Sequence, residues 1–146
     1  MNTNKNDNKR IIKVLIIDDE EGIRVGIKRV LQNFILDVHD FDQKISFEIE
    51  TASNLEKFIE VNQNKNFDIY IIDYLLPDGS GIDILNLINN TESNLQIKIP
   101  IMITAYSDIS LTIEATKNGA FDFIIKPFGP SEIKASIKKA IDYLLL

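Results

Sequence analysis

The 146-residue sequence contains no cysteine, which excludes a disulfide framework, thiol catalysis and cysteine-ligated zinc. Its one histidine, His39, lies in a polar stretch and is typical of a loop residue rather than a metal ligand. No apolar run approaches the ~18 residues that a membrane-spanning helix needs. Acids outnumber bases, and the formal net charge of −6 disfavours direct binding to nucleic acid or to an anionic membrane.

What remains is the composition of one globular domain, which we expect to be cytoplasmic. Hydrophobic residues make up 45% and charged residues 26% of the chain, values that argue against disorder. Residues 1–10 are rich in Asn and Lys and have no apolar core, so we expect a disordered leader rather than a signal peptide. The folded domain is then expected to span residues 11–146.

Short apolar runs alternate with amphipathic stretches along the chain, a pattern that predicts an α/β fold with a parallel sheet covered on both faces. The second run alternates apolar and polar residues like an edge strand, which favours a doubly wound, five-stranded sheet of order 2-1-3-4-5. The predicted strands are 13–17, 45–51, 69–72, 99–104 and 121–125. Five helices are predicted. The first runs from Glu21 to Ile35, the second follows a cap at Ser53, and the third begins at Ile82. The fourth follows a cap at Ser107 or Asp108, and the fifth begins at Pro130.

Polar side chains stand at the carboxyl ends of four predicted strands. Asp18 and Asp19 follow the first strand and Asp73 follows the third, while Thr104 and Lys126 stand at the ends of the fourth and fifth. Because parallel strands end at one edge of a sheet, and the first and third are neighbours in this order, three carboxylates should lie together. Such a cluster is repulsive without a cation, and a hard divalent ion such as Mg²⁺ suits its oxygen ligands.

The same edge also offers groups suited to a phosphoryl ligand. Lys126 would supply a mobile positive charge and Thr104 a hydroxyl donor, so the pattern indicates phosphoryl transfer onto a carboxylate. Each residue alone also fits a structural role, as an acidic helix start, a strand-end Thr or a solvated Lys. Their occurrence at successive strand ends favours the functional interpretation. The dipeptide Lys126–Pro127 is a turn signal at which a cis peptide is plausible.

These positions resemble the receiver domain of two-component response regulators over residues 13–143. The run YLLPDGSGIDIL is similar to the family's loop after the phosphoacceptor, and the run ITAYSD…A…NGAFDFIIKPF most resembles receivers of the nitrogen-regulation type and of hybrid kinases. The resemblance implies a flavodoxin-like (βα)5 fold and a regulatory phosphoacceptor rather than a turnover enzyme. It also implies Mg²⁺ (or Mn²⁺), self-catalysed phosphotransfer and autodephosphorylation, and a sensor histidine kinase or histidine phosphotransfer domain as donor.

Carried over residue by residue, the resemblance makes Asp73 the phosphoacceptor. Asp18, Asp19, Asp73 and the backbone carbonyl of Leu75 would hold the metal. Thr104 would bond the phosphoryl group and Lys126 would neutralise it, and the phosphorylated domain would switch conformation to control an output or a partner. The bulky side chains of Leu75 and Tyr106 flank the phosphoryl position, and we expect them to slow hydrolysis.

Three further expectations depend on the resemblance. Phe123, with Thr104, would form the switch, although many receivers carry Tyr at the position of Phe123. Kinase docking would use apolar residues of the first helix, such as Ile23 and Ile27. A homodimer would form through the fourth helix, fifth strand and fifth helix. The link between the first helix and the second strand, around residues 36–44, is several residues longer than is usual in receiver domains, and its function is unexplained.

Other classes of protein fit the sequence less well. A phosphatase or phosphotransferase of the haloacid-dehalogenase kind needs Asp-x-Asp after the first strand, where this chain has adjacent acids. A nucleotide- or flavin-binding module needs a glycine-rich loop there, and an acidic run would repel phosphate without a metal. A degenerate receiver that serves only as an interaction module would not need the full set of acids, Thr and Lys.

Overall fold

The computed structural model describes residues 9–34, 37–38, 43–90, 96–106 and 108–146. Five parallel strands form the sheet, in the order β2-β1-β3-β4-β5, so the predicted order is confirmed. The strands are β1 (Lys9–Ile17), β2 (Gln43–Ala52), β3 (Ile69–Asp73), β4 (Ile99–Thr104) and β5 (Asp122–Ile125). The helices are α1 (Glu21–Gln32), α2 (Leu55–Asn62), α3 (Gly81–Asn89), α4 (Ile109–Lys117) and α5 (Pro130–Leu144).

Apolar side chains fill both faces of the sheet, as a doubly wound fold requires. One cluster packs α1 and α5 against the sheet and includes Ile27, Ile71 and Ile137. The other packs α2, α3 and α4 against the opposite face and includes Phe58 and Tyr70. The strands β3 and β4 are buried along their whole length, which explains their continuous apolar sequences. Within the described ranges, no helix has the length and apolar character needed to cross a membrane.

The sheet is larger than predicted at its amino-terminal end. Strand β1 begins at Lys9, inside the predicted leader, and pairs with β2 over nine residues. A two-residue strand, Asp37–Val38, pairs antiparallel with Lys44 and Gln43 and adds a sixth strand beside β2. This strand satisfies part of the exposed backbone of an edge strand and lies in the long link whose role the sequence left open. Residues 1–8, His39 and the predicted helix end at Ile35 lie outside the described residues.

The caps of α2 and α4 match the predictions to different degrees. The prediction of Ser53 as cap of α2 is wrong, because Asn54 occupies that position and its side chain accepts the Lys57 N–H at 2.7 Å. Asp108 caps α4 with its side chain, while the alternative cap, Ser107, lies outside the described residues. Both Ser and Asn favour caps, so composition alone does not separate Ser53 from its neighbour.

Candidate functional site

The predicted strand-end residues meet at the carboxyl edge of the sheet. Asp18 follows β1 and is fully buried, and Asp73 and Thr104, the last residues of β3 and β4, are also buried. Lys126 follows β5, and its backbone N–H donates to the carbonyl of Thr104 at 2.7 Å. The Lys126–Pro127 peptide bond is cis. Parallel pairing of the strands therefore places groups from distant parts of the chain at one edge.

The Lys126 ammonium group joins the carboxylates that follow β1 and β3. Its Nζ atom lies 2.9 Å from Asp18 Oδ2 and 3.2 Å from Asp73 Oδ2, and Glu20 Oε1 is 3.7 Å away. Only 12% of the lysine side chain is exposed. In an ion pair this buried, the cost of removing both charges from water opposes their attraction, so the net stabilisation depends on how well the charges are matched.

Burial and charge act in opposite directions on the groups of this site. Burial, together with the negative charge of Asp18, raises the pKa of Asp73 to about 6, although Lys126 opposes the rise. Burial acts to lower the pKa of Lys126, but its hydrogen bonds and ion pairs with Asp18 and Asp73 raise it overall. The acidic edge is therefore only partly neutralised by the lysine, and a further cation would be favourable there.

Backbone contacts fix the position of Asp18. Its N–H donates to the Ala52 carbonyl at 3.1 Å, and its carbonyl accepts a hydrogen bond from the Arg24 guanidinium at 2.8 Å. The Asp18 Oδ1 atom accepts the Glu20 N–H at 2.8 Å. Asp18 Oδ2 is buried without a hydrogen bond of acceptable geometry, although the lysine ammonium lies beside it.

This donor set fits a hard divalent cation. Asp18, Asp19 and Glu20 each have a carboxylate oxygen within 4.8 Å of the others, and the two latter residues are exposed. A buried oxygen that lacks a hydrogen bond, next to solvent-accessible carboxylates, matches the oxygen ligands and waters that Mg²⁺ prefers. The predicted metal ligands included Asp18 and Asp19 but not Glu20, although Glu20 belongs to the same acidic run, DDEE.

The loop after Asp73 forms a small ribbon, residues 75–80, which we call the 75–80 ribbon. Its strands Leu75–Leu76 and Gly79–Ser80 pair antiparallel. At its base the Leu75 N–H donates to Asp73 Oδ1 at 3.4 Å, a long contact. A Cβ on the next residue, Gly81, would lie 2.7 Å from the Asp73 carbonyl oxygen, so glycine is required for this close approach.

Asp78, at the tip of the 75–80 ribbon, makes contacts that the sequence did not suggest. Its two carboxylate oxygens accept the N–H groups of Leu55 and Glu56, at 2.7 and 3.0 Å. These hydrogen bonds lower the pKa of Asp78. Because the partners are 23 and 22 residues away, no local spacing rule reveals them.

The remaining predicted residues surround the site. Thr104 Oγ1 accepts the Tyr106 N–H at 3.1 Å. The side chains of Tyr106 and Leu75 are 51% and 49% exposed, so both stand at the surface, two residues after Thr104 and Asp73 respectively. Phe123 is partly buried and packs against the apolar cluster on the side of α2, α3 and α4.

The face of α1 differs from the prediction at one residue. Ile27 is only 1% exposed because it lies on the stripe that packs against the sheet, so it cannot be an exposed contact. Ile23 is partly buried and lines a groove of about 270 Å³ between α1 and the start of α5. Gly22 and Gly26 line the same groove, and a Cβ on either would meet no atom within 4 Å.

Comparison with known proteins gives a consistent result. The sequence model of the family described as "Response regulator receiver domain" matches residues 14–138. The chain is 32% identical over 129 residues to response regulator protein PilR of Pseudomonas aeruginosa, covering 88% of this chain and 26% of that protein. It is 32% identical over 126 residues to transcriptional regulatory protein SrrA of Staphylococcus aureus, covering 86% and 46%. The chain thus spans less than half the length of these relatives.

Solved structures have the same fold. A CheY-like response regulator receiver domain protein from Methanospirillum hungatei superposes with a TM-score of 0.75, at 24% identity, over 92% of this chain and 97% of that one. Response regulator DrrB of Thermotoga maritima gives a TM-score of 0.74 at 25% identity, over 92% and 54%.

Proposed function

The chain belongs to the response regulator receiver family, and from that premise we propose that Asp73 accepts a phosphoryl group from a phosphohistidine. One observation carries the proposal: the largely buried ammonium group of Lys126 lies within 3.2 Å of carboxylate oxygens of both Asp18, just after β1, and Asp73, at the end of β3. A carboxylate held beside a cation at the open edge of the sheet can act as a nucleophile toward phosphorus.

In the proposed reaction an Asp73 carboxylate oxygen attacks the phosphorus atom in line with the phosphorus–nitrogen bond. That bond breaks, the imidazole nitrogen keeps the electron pair, and an acyl phosphate forms on Asp73. Lys126 is already within ion-pair distance, so it offsets charge on the phosphoryl oxygens without a large rearrangement. The Thr104 hydroxyl then bonds a phosphoryl oxygen, and hydrolysis of the acyl phosphate later returns the domain to its resting state.

The carboxylates of Asp18, Asp19 and Asp73 and the backbone carbonyl of Leu75 are the proposed holders of Mg²⁺, and Mn²⁺ would fit the same oxygens. Glu20 lies close enough to contribute through water. When bound, the ion would supply charge stabilisation for the transferring phosphoryl group. The fold keeps these oxygens close together and partly shielded from water. The lower local dielectric constant strengthens the interactions between charges at this edge of the sheet.

The donor of the phosphoryl group is proposed to be a sensor histidine kinase or a histidine phosphotransfer domain. The groove between α1 and the start of α5 begins next to the acidic loop, since α1 starts three residues after Asp18. Its lining by Ile23, Phe128 and Pro130 is apolar, which suits a protein surface better than a small polar ligand.

We also propose that phosphorylation promotes a homodimer through α4, β5 and α5. This face carries exposed large apolar residues on all three elements, among them Ile109, Ile125 and Tyr143. Movement of Thr104 toward the phosphoryl group would repack the partly buried Phe123 under this face. Phosphorylation would thereby shift the population of the dimer-competent conformation.

The proposal is tested by the intact mass of the protein after incubation with a small acyl phosphate, with and without Mg²⁺. We expect one phosphoryl adduct that requires Mg²⁺ and is absent in Asp73→Asn. Asp68→Asn is the matched control, because Asp68 precedes the first residue of the same strand. An adduct that persists in Asp73→Asn, or wild-type protein without adduct, would contradict the proposal.

A further inference from the structure

We infer that Asp78 is a positioning residue that ties the 75–80 ribbon to helix α2 and thereby holds the Leu75 backbone beside Asp73. The inference rests on the proposed function, since it concerns the proposed metal and phosphoryl site. Asp78 does not touch that site. Its effect passes through the ribbon that begins two residues after the acceptor.

The contact between Asp78 and α2 uses both carboxylate oxygens. They accept the N–H groups of Leu55 and Glu56, the first two residues of the helix. These N–H groups have no partner inside the helix, and the positive end of the helix dipole favours a carboxylate there. The ribbon also lies directly against α2, because a Cβ on Gly79 would be 2.7 Å from Leu55 Cδ2.

The two ends of the 75–80 ribbon are fixed by different helices. At its base, Ser80 caps α3 in a capping box with Asp83. At its tip, Asp78 holds it to α2. Each ribbon strand has only two residues, which is too short to keep a fixed position without outside contacts.

Loss of the contact between Asp78 and α2 would therefore allow the backbone of Leu75 to move relative to Asp73. The Leu75 N–H donates to Asp73 over 3.4 Å, a bond long enough to be lost with a small movement. The carbonyl of Leu75 is the proposed backbone ligand of the metal. Coupling of this kind is reciprocal, so a loaded site would in turn stabilise the start of α2. Helix α2 thus becomes an element that responds to the acceptor.

The first measurement is a calorimetric titration with Mg²⁺ alone of wild type, Asp78→Ala and Asn54→Ala. Asn54 caps the same helix turn from α2 itself, through the Lys57 N–H, so its loss weakens α2 without releasing the ribbon. We expect the dissociation constant for Mg²⁺ to rise about fivefold in Asp78→Ala and to change by less than about twofold in Asn54→Ala, a smaller effect than loss of a direct outer-shell partner. Asp78→Asn, which keeps one acceptor oxygen, should be intermediate.

The second measurement is amide hydrogen exchange in metal-free protein. The Leu75 amide should exchange faster in Asp78→Ala than in wild type, and unchanged exchange would overturn the inference. Equal Mg²⁺ affinity of wild type and Asp78→Ala, or an equal loss in Asn54→Ala, would also overturn it and leave the proposed function standing. Wild-type protein that binds no Mg²⁺ would overturn the proposed metal site, and exchange at Leu75 would then decide the coupling alone.

Discussion

Ionisation of Asp73 is costly in the folded domain, because its pKa is raised from 3.8 to about 6 by burial and by the charge of Asp18. A raised pKa means that the folded state binds the proton more tightly than the unfolded state does. The resulting stability is fully present below pH 3.8 and is lost as the pH rises through about 6. Metal-free protein is therefore expected to lose stability over that interval because of this one carboxylate.

Asp73→Asn should stabilise the metal-free domain at pH 7.5, since the amide has nearly the same shape and no charge to bury. We expect the free energy of unfolding to rise by about 1 to 3 kcal/mol, the scale of a shift of two pKa units. At pH 4 the difference should largely disappear because Asp73 is then mostly protonated. Urea unfolding in the presence of a chelator measures both values, and a variant that is less stable than wild type at pH 7.5 would contradict the argument.

We expect the exposed side chains of Leu75 and Tyr106 to prolong the lifetime of the proposed acyl phosphate by obstructing the attacking water. Leu75→Asn would replace an apolar group with one that can orient water, so we expect faster loss of the adduct, by about tenfold or less, below the range of a full general base. Decay of the phosphorylated mass with time gives the rate. Leu87→Asn, at an exposed apolar residue of α3, is the control; an unchanged decay rate in Leu75→Asn would count against this role.

At the scale of the secondary-structure element, the junction between β3 and α3 has no room for a side chain. A Cβ on Gly81 would lie 2.7 Å from the Asp73 carbonyl oxygen and 2.8 Å from Met102 Sδ. Gly81→Ala should therefore destabilise the protein by about 1 to 3 kcal/mol, as overpacking does. The matched control is Gly26→Ala in α1, where a Cβ meets no atom within 4 Å and alanine should gain up to about 1 kcal/mol. Chemical denaturation of both variants tests the contrast, which equal stabilities would contradict.

Elements that depend on local pattern could be predicted from the sequence. The strands β3 and β4 are buried on both faces, so their uninterrupted apolar runs were clear, and each ends at a polar residue. The alternation in the second run indicated a strand near the edge, which favoured the order 2-1-3-4-5 without proving it. Because parallel strands share an edge, the positions of Asp18, Asp73 and Lys126 followed from the order alone.

Features that depend on contacts between distant segments could not be predicted in this way. Asp78 caps α2 from another loop, and Asn54, rather than the predicted Ser53, is the cap within the helix's own sequence. Burial of Ile27 depends on how α1 is rotated against the sheet, which a shared apolar stripe does not specify. The proximity of Glu20 to Lys126 likewise depends on a turn that the acidic run does not determine.

At the scale of the whole molecule, the proposed dimer can be measured directly. Ile109 and Ile113 of α4 and Phe121 before β5 are exposed apolar residues, and the Phe121 ring lies 5.6 Å from that of Tyr143 in α5. Sedimentation should show a larger dimer fraction after phosphorylation, and Ile113→Asp should abolish it by placing a charge in an apolar interface. Ile59→Asp on α2 is the control, since Ile59 is also exposed. Monomers in both phosphorylation states would contradict the proposal.

Gly22 and Gly26 lie on the side of α1 that lines the groove, where a Cβ would meet no atom within 4 Å. These two positions are therefore separate from the side chains that hold α1 against the sheet. Bulk added at these positions enters the groove and not the core, so the fold tolerates it while a docked surface must change to fit. A larger residue at one of these positions of α1, matched by a smaller residue on the proposed donor protein, would give an orthogonal signalling pair. Neither member of that pair would react with the natural partner of the other. In the proposed docking mode, the two glycines are therefore positions at which a new signalling pair could be kept separate from existing ones.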